Sequence, residues 1–184
     1  MTTLFSTYKV TAPPELADVA IGVDPGIKGA FAEIDLRTGI VTCFDIPVRT
    51  VRGKAGKITD ILDYDGLADL CQRWAGKTAI ATVENPSSFR QGSVSSATFS
   101  ANISACIMGL ACVGVPRLLV APSSWKKAMG LTAVKSQSVT LAGALFPHAD
   151  IGTNGTADRA EALLLAWYGT QLAPGRFIEF ERAA

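Results

Sequence analysis

Two short apolar runs in this sequence end in an acid followed by a turn. Val19 to Val23 is rich in β-branched residues and stops at Asp24-Pro25-Gly26. Ala79 to Val83 stops at Glu84-Asn85-Pro86. Each reads as a buried strand closed by a turn, with a carboxylate as its last side chain. A third acidic point, Asp158 with Glu161, lies at the start of a helix expected near 157–168. Three residues apart on a helix, these two share a face. Strand ends of an α/β sheet are where sites form, because side chains there leave the core and meet solvent.

The rest of the chain supplies the frame. Gly29 to Asp35 and Ile40 to Ile46 read as strands joined by Thr38-Gly39, so the first three strands suggest an antiparallel meander. Arg49 to Lys57 carries the cations Arg49, Arg52, Lys54 and Lys57 and two glycines, the pattern of a flexible basic loop. Helical spacing of Leu67, Leu70, Cys71 and Trp74 predicts a helix over 65–74. A small-residue helix is expected over 97–112, a strand over Arg117 to Val120, and further helices near 135–146 and 157–168. Phe177 to Phe180 has the pattern of an added edge strand. Strands first, then helices alternating with strands, predict an α/β domain with a mixed sheet of about five strands. Residues 1–17, with Pro13 and Pro14, read as a flexible N-terminal arm, and 18–184 as one domain.

Composition sets outer limits. A chain of 184 residues, 48% hydrophobic and 18% charged, can bury a core and is not a disordered polymer. Seventeen basic against sixteen acidic residues exclude a polybasic coat protein but leave local patches for nucleic acid. No apolar stretch reaches the ~18 residues of a membrane span. Met1 to Tyr8 shows no basic region followed by an apolar run, so no secretory signal is expected and the protein is placed in the cytoplasm. Cys43, Cys71, Cys106 and Cys112 form no C-x-x-C pair and are expected as reduced, buried packing residues. His148 stands alone and fits a solvated turn after Pro147.

Each acid also has an ordinary structural reading. Asp24 before Pro25-Gly26 is a good turn residue, Glu84 suits a solvated strand end, and Asp158 suits a first helical turn. As a group they are harder to explain that way. Grouped carboxylates repel, and their pKa values rise unless cations join them. Oxygen-only ligands without histidine or thiolate suit hard cations such as Mg²⁺ or Mn²⁺. Two such ions ~3.5–4 Å apart can activate water and stabilise an oxygen leaving phosphorus.

Ile21-Gly22-Val23-Asp24-Pro25-Gly26, Val83-Glu84-Asn85-Pro86 and Ala157-Asp158-Arg159-Ala160-Glu161-Ala162-Leu163 together resemble the RuvC-type Holliday junction resolvases of the RNase H-like nuclease superfamily. Pro122 to Lys127 and Val134 to Gln137 fit the same order and spacing, so the resemblance spans about residues 18–170. The short, proline-linked style is closer to phage or prophage members.

This resemblance implies an RNase H-like fold and a metal-dependent endonuclease. The enzyme would cut four-way DNA junctions by paired nicks in opposed strands, leaving 5′ phosphates. It implies Asp24, Glu84, Asp158 and Glu161 as ligands of two Mg²⁺ ions, with Mn²⁺ able to substitute. Glu161 stands where the bacterial form has Asp. Lys135 would lie near the scissile phosphate, with Lys126 a further basic contact beside Lys127. Phe89 is a candidate base-stacking wedge beside Arg90, and otherwise a loop anchor. Arg49, Arg52, Lys54 and Lys57 would meet DNA phosphates, or form a solvated loop. Trp125 reads as a core anchor aiming the lysines. The helix with Ala101, Ser104, Ala105, Met108, Gly109 and Cys112 would form a homodimer interface, and ordinary packing on the sheet is its plain alternative. Two other readings remain open: a small sugar-kinase or actin-like phosphotransferase, whose first strand also ends in an acid near glycines, and a non-catalytic junction-binding module.

Overall fold

The computed structural model describes residues 8–9, 17–53, 56–85, 94–152, 157–171 and 179–180. Tyr8–Lys9 (β1) pairs antiparallel with Glu179–Phe180 (β9) as a two-stranded unit, so the tail strand does not extend the main sheet. In that main sheet, β2 (Val19–Asp24), β3 (Ala30–Asp35) and β4 (Val41–Asp45) form the expected antiparallel meander. β7 (Ala79–Glu84) joins β2 in parallel, and β8 (Arg117–Val120) joins β7 in parallel. The result is a mixed five-stranded sheet in the order β4-β3-β2-β7-β8.

Strand alternation divides the core. Val19, Ile21 and Val23 of β2 and Ala79, Ala81 and Val83 of β7 face α1 (Tyr64–Gln72) and α2 (Val94–Cys112). Trp74 is fully buried there, stacked on Phe31 at 5.6 Å, with its Nε1–H donated to Glu33 at 2.8 Å. On the opposite face, Ala20 and Ile80 pack on Ala162, Leu163 and Ala166 of α5 (Asp158–Gln171). A third cluster joins α3 (Pro122–Ala128) and α4 (Lys135–Leu145) to α5 through Trp125, Ala142, Leu164 and Leu165.

Gly22 sets how closely α5 approaches β2. A Cβ at this position would lie 1.8 Å from the Ala162 carbonyl oxygen and 2.4 Å from the Ala166 nitrogen. Only a strand residue without a side chain lets helix backbone lie against strand backbone there.

Two expectations need correction, for the basic segment and for the cysteines. The basic segment flanks a hairpin of its own, β5 (Val48–Arg52) against β6 (Ile58–Leu62), in register from Val48 with Leu62 to Arg52 with Ile58. Val48 pairs with Leu62 and Val51 with Thr59, and the Thr50 hydroxyl donates across the pair to Asp60 at 2.7 Å. Charge density hid this strand pattern. The Pro122-Ser123-Ser124-Trp125 segment is helical, with Pro122 in the first turn, where its missing N–H costs nothing. Finally, only Cys71 and Cys106 are buried. Cys43 is half-buried and Cys112 exposed, and all four thiols are free. His148 lies exposed in its turn, as expected. Among the described residues, no helix is long and apolar enough to cross a membrane.

Candidate active site

The same alternation that builds the core aims the acids. Ala20, Gly22 and Asp24 lie on the α5 face of β2, and Ile80, Thr82 and Glu84 on the α5 face of β7. Val23 pairs with Val83, so Asp24 and Glu84 are neighbouring strand ends. The first turn of α5 brings Asp158 and Glu161 over them. All four acidic residues are buried, with relative exposures of 7% for Asp24, 8% for Glu84, 8% for Asp158 and 4% for Glu161.

Their partners differ. Glu84 accepts a bond from the buried Trp125 Nε1 at 2.8 Å. Asp158 accepts one from Lys135 Nζ at 2.7 Å. Glu161 Oε1 accepts two, from Lys126 Nζ at 2.7 Å and Ser138 Oγ at 3.0 Å. Among the described residues, Asp24 accepts only a long contact, 3.4 Å from the Gly26 N–H.

The electrostatics follow. Burial, then the charges of Glu84, Asp158 and Glu161, push Asp24 up to about 7, with the Gly26 N–H opposing weakly. Glu84 is also raised, chiefly by burial, against the Trp125 bond. The Lys135 ammonium is held protonated above its ordinary range, first by its bond to Asp158. Two lysines thus face four carboxylates, and among the described residues neither Asp24 nor Glu84 forms a direct ion pair.

This donor set suits a hard divalent cation in chemistry: oxygen-only, buried, and short of positive charge. Among the described residues, no three His, Cys, Asp or Glu side chains converge as an ion-binding group in this arrangement. Lys135 and Lys126 hold Asp158 and Glu161 instead.

The other expected residues divide by exposure. Lys135 is largely exposed at 61% of its side chain, whereas Lys126 is mostly enclosed at 15%. Lys127 is exposed on α3. Arg52 and Lys57 are exposed at the turn end of the β5–β6 hairpin. Arg49 is engaged by Asp63 at 2.7 Å and Asp65 at 3.3 Å. Lys54, Phe89 and Arg90 lie outside the described residues.

Sequence reasoning missed three supports. Trp125 is the core anchor expected, but its bond to Glu84 was not foreseen. Ser138, fully buried, carries no motif that singles it out. Arg159 forks onto Asp45 at 2.6 and 2.8 Å and reaches Asp150 at 2.9 Å, tying the first turn of α5 to the end of β4. Its position beside Asp158 was the only available signal.

No protein-family model matches the sequence, and no curated protein does. Among solved structures, Thermus thermophilus RuvC is similar, with TM-score 0.52 and 17% identity over 88% of this chain and 99% of that one. A T. thermophilus RuvC in complex with a Holliday junction substrate gives TM-score 0.49 and 17% identity over 80% and 89%. At this identity the likeness is one of architecture. The mixed five-stranded sheet and its flanking helices have the RNase H-like α/β fold of RuvC.

Proposed function

We propose that this protein is a structure-selective DNA endonuclease that resolves four-way junctions by paired, divalent-metal-dependent nicks. The observation that carries this reading is the buried carboxylate group at the ends of β2 and β7 and the start of α5. Its excess negative charge helps push Asp24 up to about 7. A protein keeps such a cluster at a cost unless a cation compensates it.

Asp24, Glu84 and Asp158 are the residues we assign to Mg²⁺ or Mn²⁺, with Glu161 in the same carboxylate group. When bound, a pair of such ions supplies acidification of the attacking water and stabilisation of the departing 3′ oxygen. The chain's own residues do the rest. Trp125 fixes the Glu84 carboxylate by its N–H. Lys135, exposed at the rim, leaves Asp158 for the phosphate as negative charge develops there. Lys127, Arg52 and Lys57 offer phosphate contacts, which set affinity without reading sequence. Products carry 5′ phosphate and 3′ hydroxyl ends.

Resolution of a twofold junction needs two nicks, which a C2 dimer delivers. An apolar groove of about 350 Å³ between α1 and α2, lined by Leu67, Ala105, Met108 and Gly109, supports α2 as the contact. Met108 is 62% and Tyr64 61% exposed beside it. The deciding experiment is cleavage of synthetic four-way junctions and linear duplex with Mg²⁺, Mn²⁺, Ca²⁺ or chelator. Cutting of the junction alone, with Mg²⁺ or Mn²⁺ alone, is expected. Robust cutting in chelator would sink the metal reading, and equal cutting of duplex the junction reading.

A further inference from the structure

Glu161 differs from the other three acids in what already holds it. Both of its bonds converge on Oε1, one from an enclosed ammonium and one from a fully buried hydroxyl. Lys126 Nζ also lies 5.2 Å from the centre of the Trp125 ring, and Trp125 donates to Glu84. The contacts therefore run from α5 through Glu161 and Lys126 to α3, and through Trp125 to the end of β7. Ser138 brings α4 into the same knot.

We propose that Glu161 is a positioning residue and not a cation ligand: it anchors Lys126, and through Trp125 this tie sets the Glu84 carboxylate against Asp24 and Asp158. The assignment rests on the divalent-cation reading above. It follows from reach and enclosure. The Glu161 side chain spans to Lys126 of α3 and Ser138 of α4, and losing a methylene would shorten that reach. Lys126 is enclosed, so withdrawing it toward DNA would strand a buried carboxylate. Lys135 differs in being exposed, so that it can reach a phosphate from the rim once a cation takes its place on Asp158. The two lysines look equivalent in sequence, and burial separates their work.

The two roles for Glu161 predict opposite signs at Lys126. If Glu161 were a ligand, Lys126 would compete with the ion, so Lys126→Met would tighten Mn²⁺ binding while Glu161→Gln weakened it. As a tie, both substitutions remove the same support. Each should weaken Mn²⁺ by a similar factor, up to about tenfold, and the double variant no further. Asp24→Asn should lose far more.

The experiment is Mn²⁺ titration followed by calorimetry and by the electron paramagnetic resonance of free Mn²⁺. Thermal unfolding in chelator runs alongside, on wild type, Lys126→Met, Glu161→Gln, Glu161→Asp and the double variant. In chelator each single substitution should lower the midpoint by on the order of 5–10 °C, and the double by no more than the worse single. Glu161→Asp should behave like Glu161→Gln. Tighter Mn²⁺ binding in Lys126→Met, wild-type behaviour of Glu161→Asp, or additive midpoints would each overturn the assignment. Wild type failing to bind Mn²⁺ would instead overturn the cation reading, while the chelator series would still decide whether the tie exists.

Discussion

The acidic cluster and the β5–β6 hairpin are opposites. The cluster sits on central strands, with every carboxylate buried and its backbone pressed against α5. The hairpin is a separate two-stranded ribbon whose cations Arg52 and Lys57 stand in solvent, beside exposed Ile58 and Ile61. Chemistry on phosphorus needs fixed groups and excluded water, and binding a deformable polyanion needs reach and local charge. Under the function proposed above, the cluster meets the first demand and the hairpin the second. Substitutions in the cluster should therefore change rate and stability, and those in the hairpin should change affinity.

The sharpest test of that division is Asp24→Asn. The change removes charge without removing volume. Junction cleavage should fall by at least roughly 10³-fold, while affinity by gel shift stays within about threefold. If the variant still cuts within tenfold of wild type, Asp24 does not belong to the chemistry.

A pair of glycine substitutions separates frame from ribbon in stability. Gly22→Ala drives a methyl into the Ala162 carbonyl, and both atoms belong to packed backbone. Loss on the order of 3 kcal/mol is expected, or failure to fold. Gly56→Ala meets nothing within 4 Å and bears only the strain of its φ of +74°. That costs about 1 kcal/mol. Equal unfolding midpoints for the two would contradict the close approach of α5.

Lys135→Ala tests whether an exposed lysine at the cluster's rim belongs to the chemical step. At saturating junction the single-turnover rate should fall roughly 10–100-fold, with little change in affinity. Proportional loss of both would make Lys135 a phosphate clamp.

Much of this arrangement was readable in the sequence, and what was not has physical causes. Strand periodicity and turn residues located β2, β3, β4, β7 and β8, most sharply β2 and β7, whose full burial leaves little choice of residue. The acid at each strand end then fell on the α5 face by alternation alone. Partnership was another matter. Lys126 and Lys135 flank the connection between α3 and α4, and only tertiary packing encloses one and exposes the other. Ser138 and Arg159 reach their partners across 23 and 114 residues of chain, distances at which spacing carries no signal. The hairpin was missed because its strands are short, exposed and charged, so no buried face imposes alternation.

The burial of Asp24 also gives the cluster a pH signature. Without a cation, the folded state keeps a proton on Asp24 up to about 7, while the unfolded chain releases it near the ordinary value of 3.8. Between these values the native state binds more protons, so stability falls as pH rises. Glu84, also raised, acts in the same direction. In chelator, Asp24→Asn should therefore be the more stable protein at pH 8, by on the order of 5 °C, and close to wild type at pH 4. Saturating Mn²⁺ should erase the advantage. A wild-type midpoint that rises between pH 5 and 7 relative to Asp24→Asn would show that the carboxylate is compensated without metal.

The smallest effects belong to the hairpin, and there the cations should not behave alike. Arg52 and Lys57 are exposed at its turn end, so each can meet a phosphate and release a counterion. Arg49 is held by Asp63 and Asp65, and a guanidinium already paired gains less from a phosphate. Replacing Arg52 and Lys57 together by alanine should weaken junction binding several-fold at moderate salt. It should also flatten the slope of log affinity against log salt by about 0.9 for each phosphate no longer neutralised. The rate at saturating junction should stay unchanged, because nothing at the cluster has moved. Arg49→Ala should leave the salt slope as it is and act, if at all, by loosening the hairpin's attachment to the start of α1, where Asp63 and Asp65 lie. Gel shifts across a salt series, with single-turnover rates on the same samples, read both quantities. A slower rate in the double variant would mean that the ribbon also shapes the substrate at the cluster. An unchanged slope would mean that the DNA path runs elsewhere, with exposed Lys127 on α3 the next cation to remove.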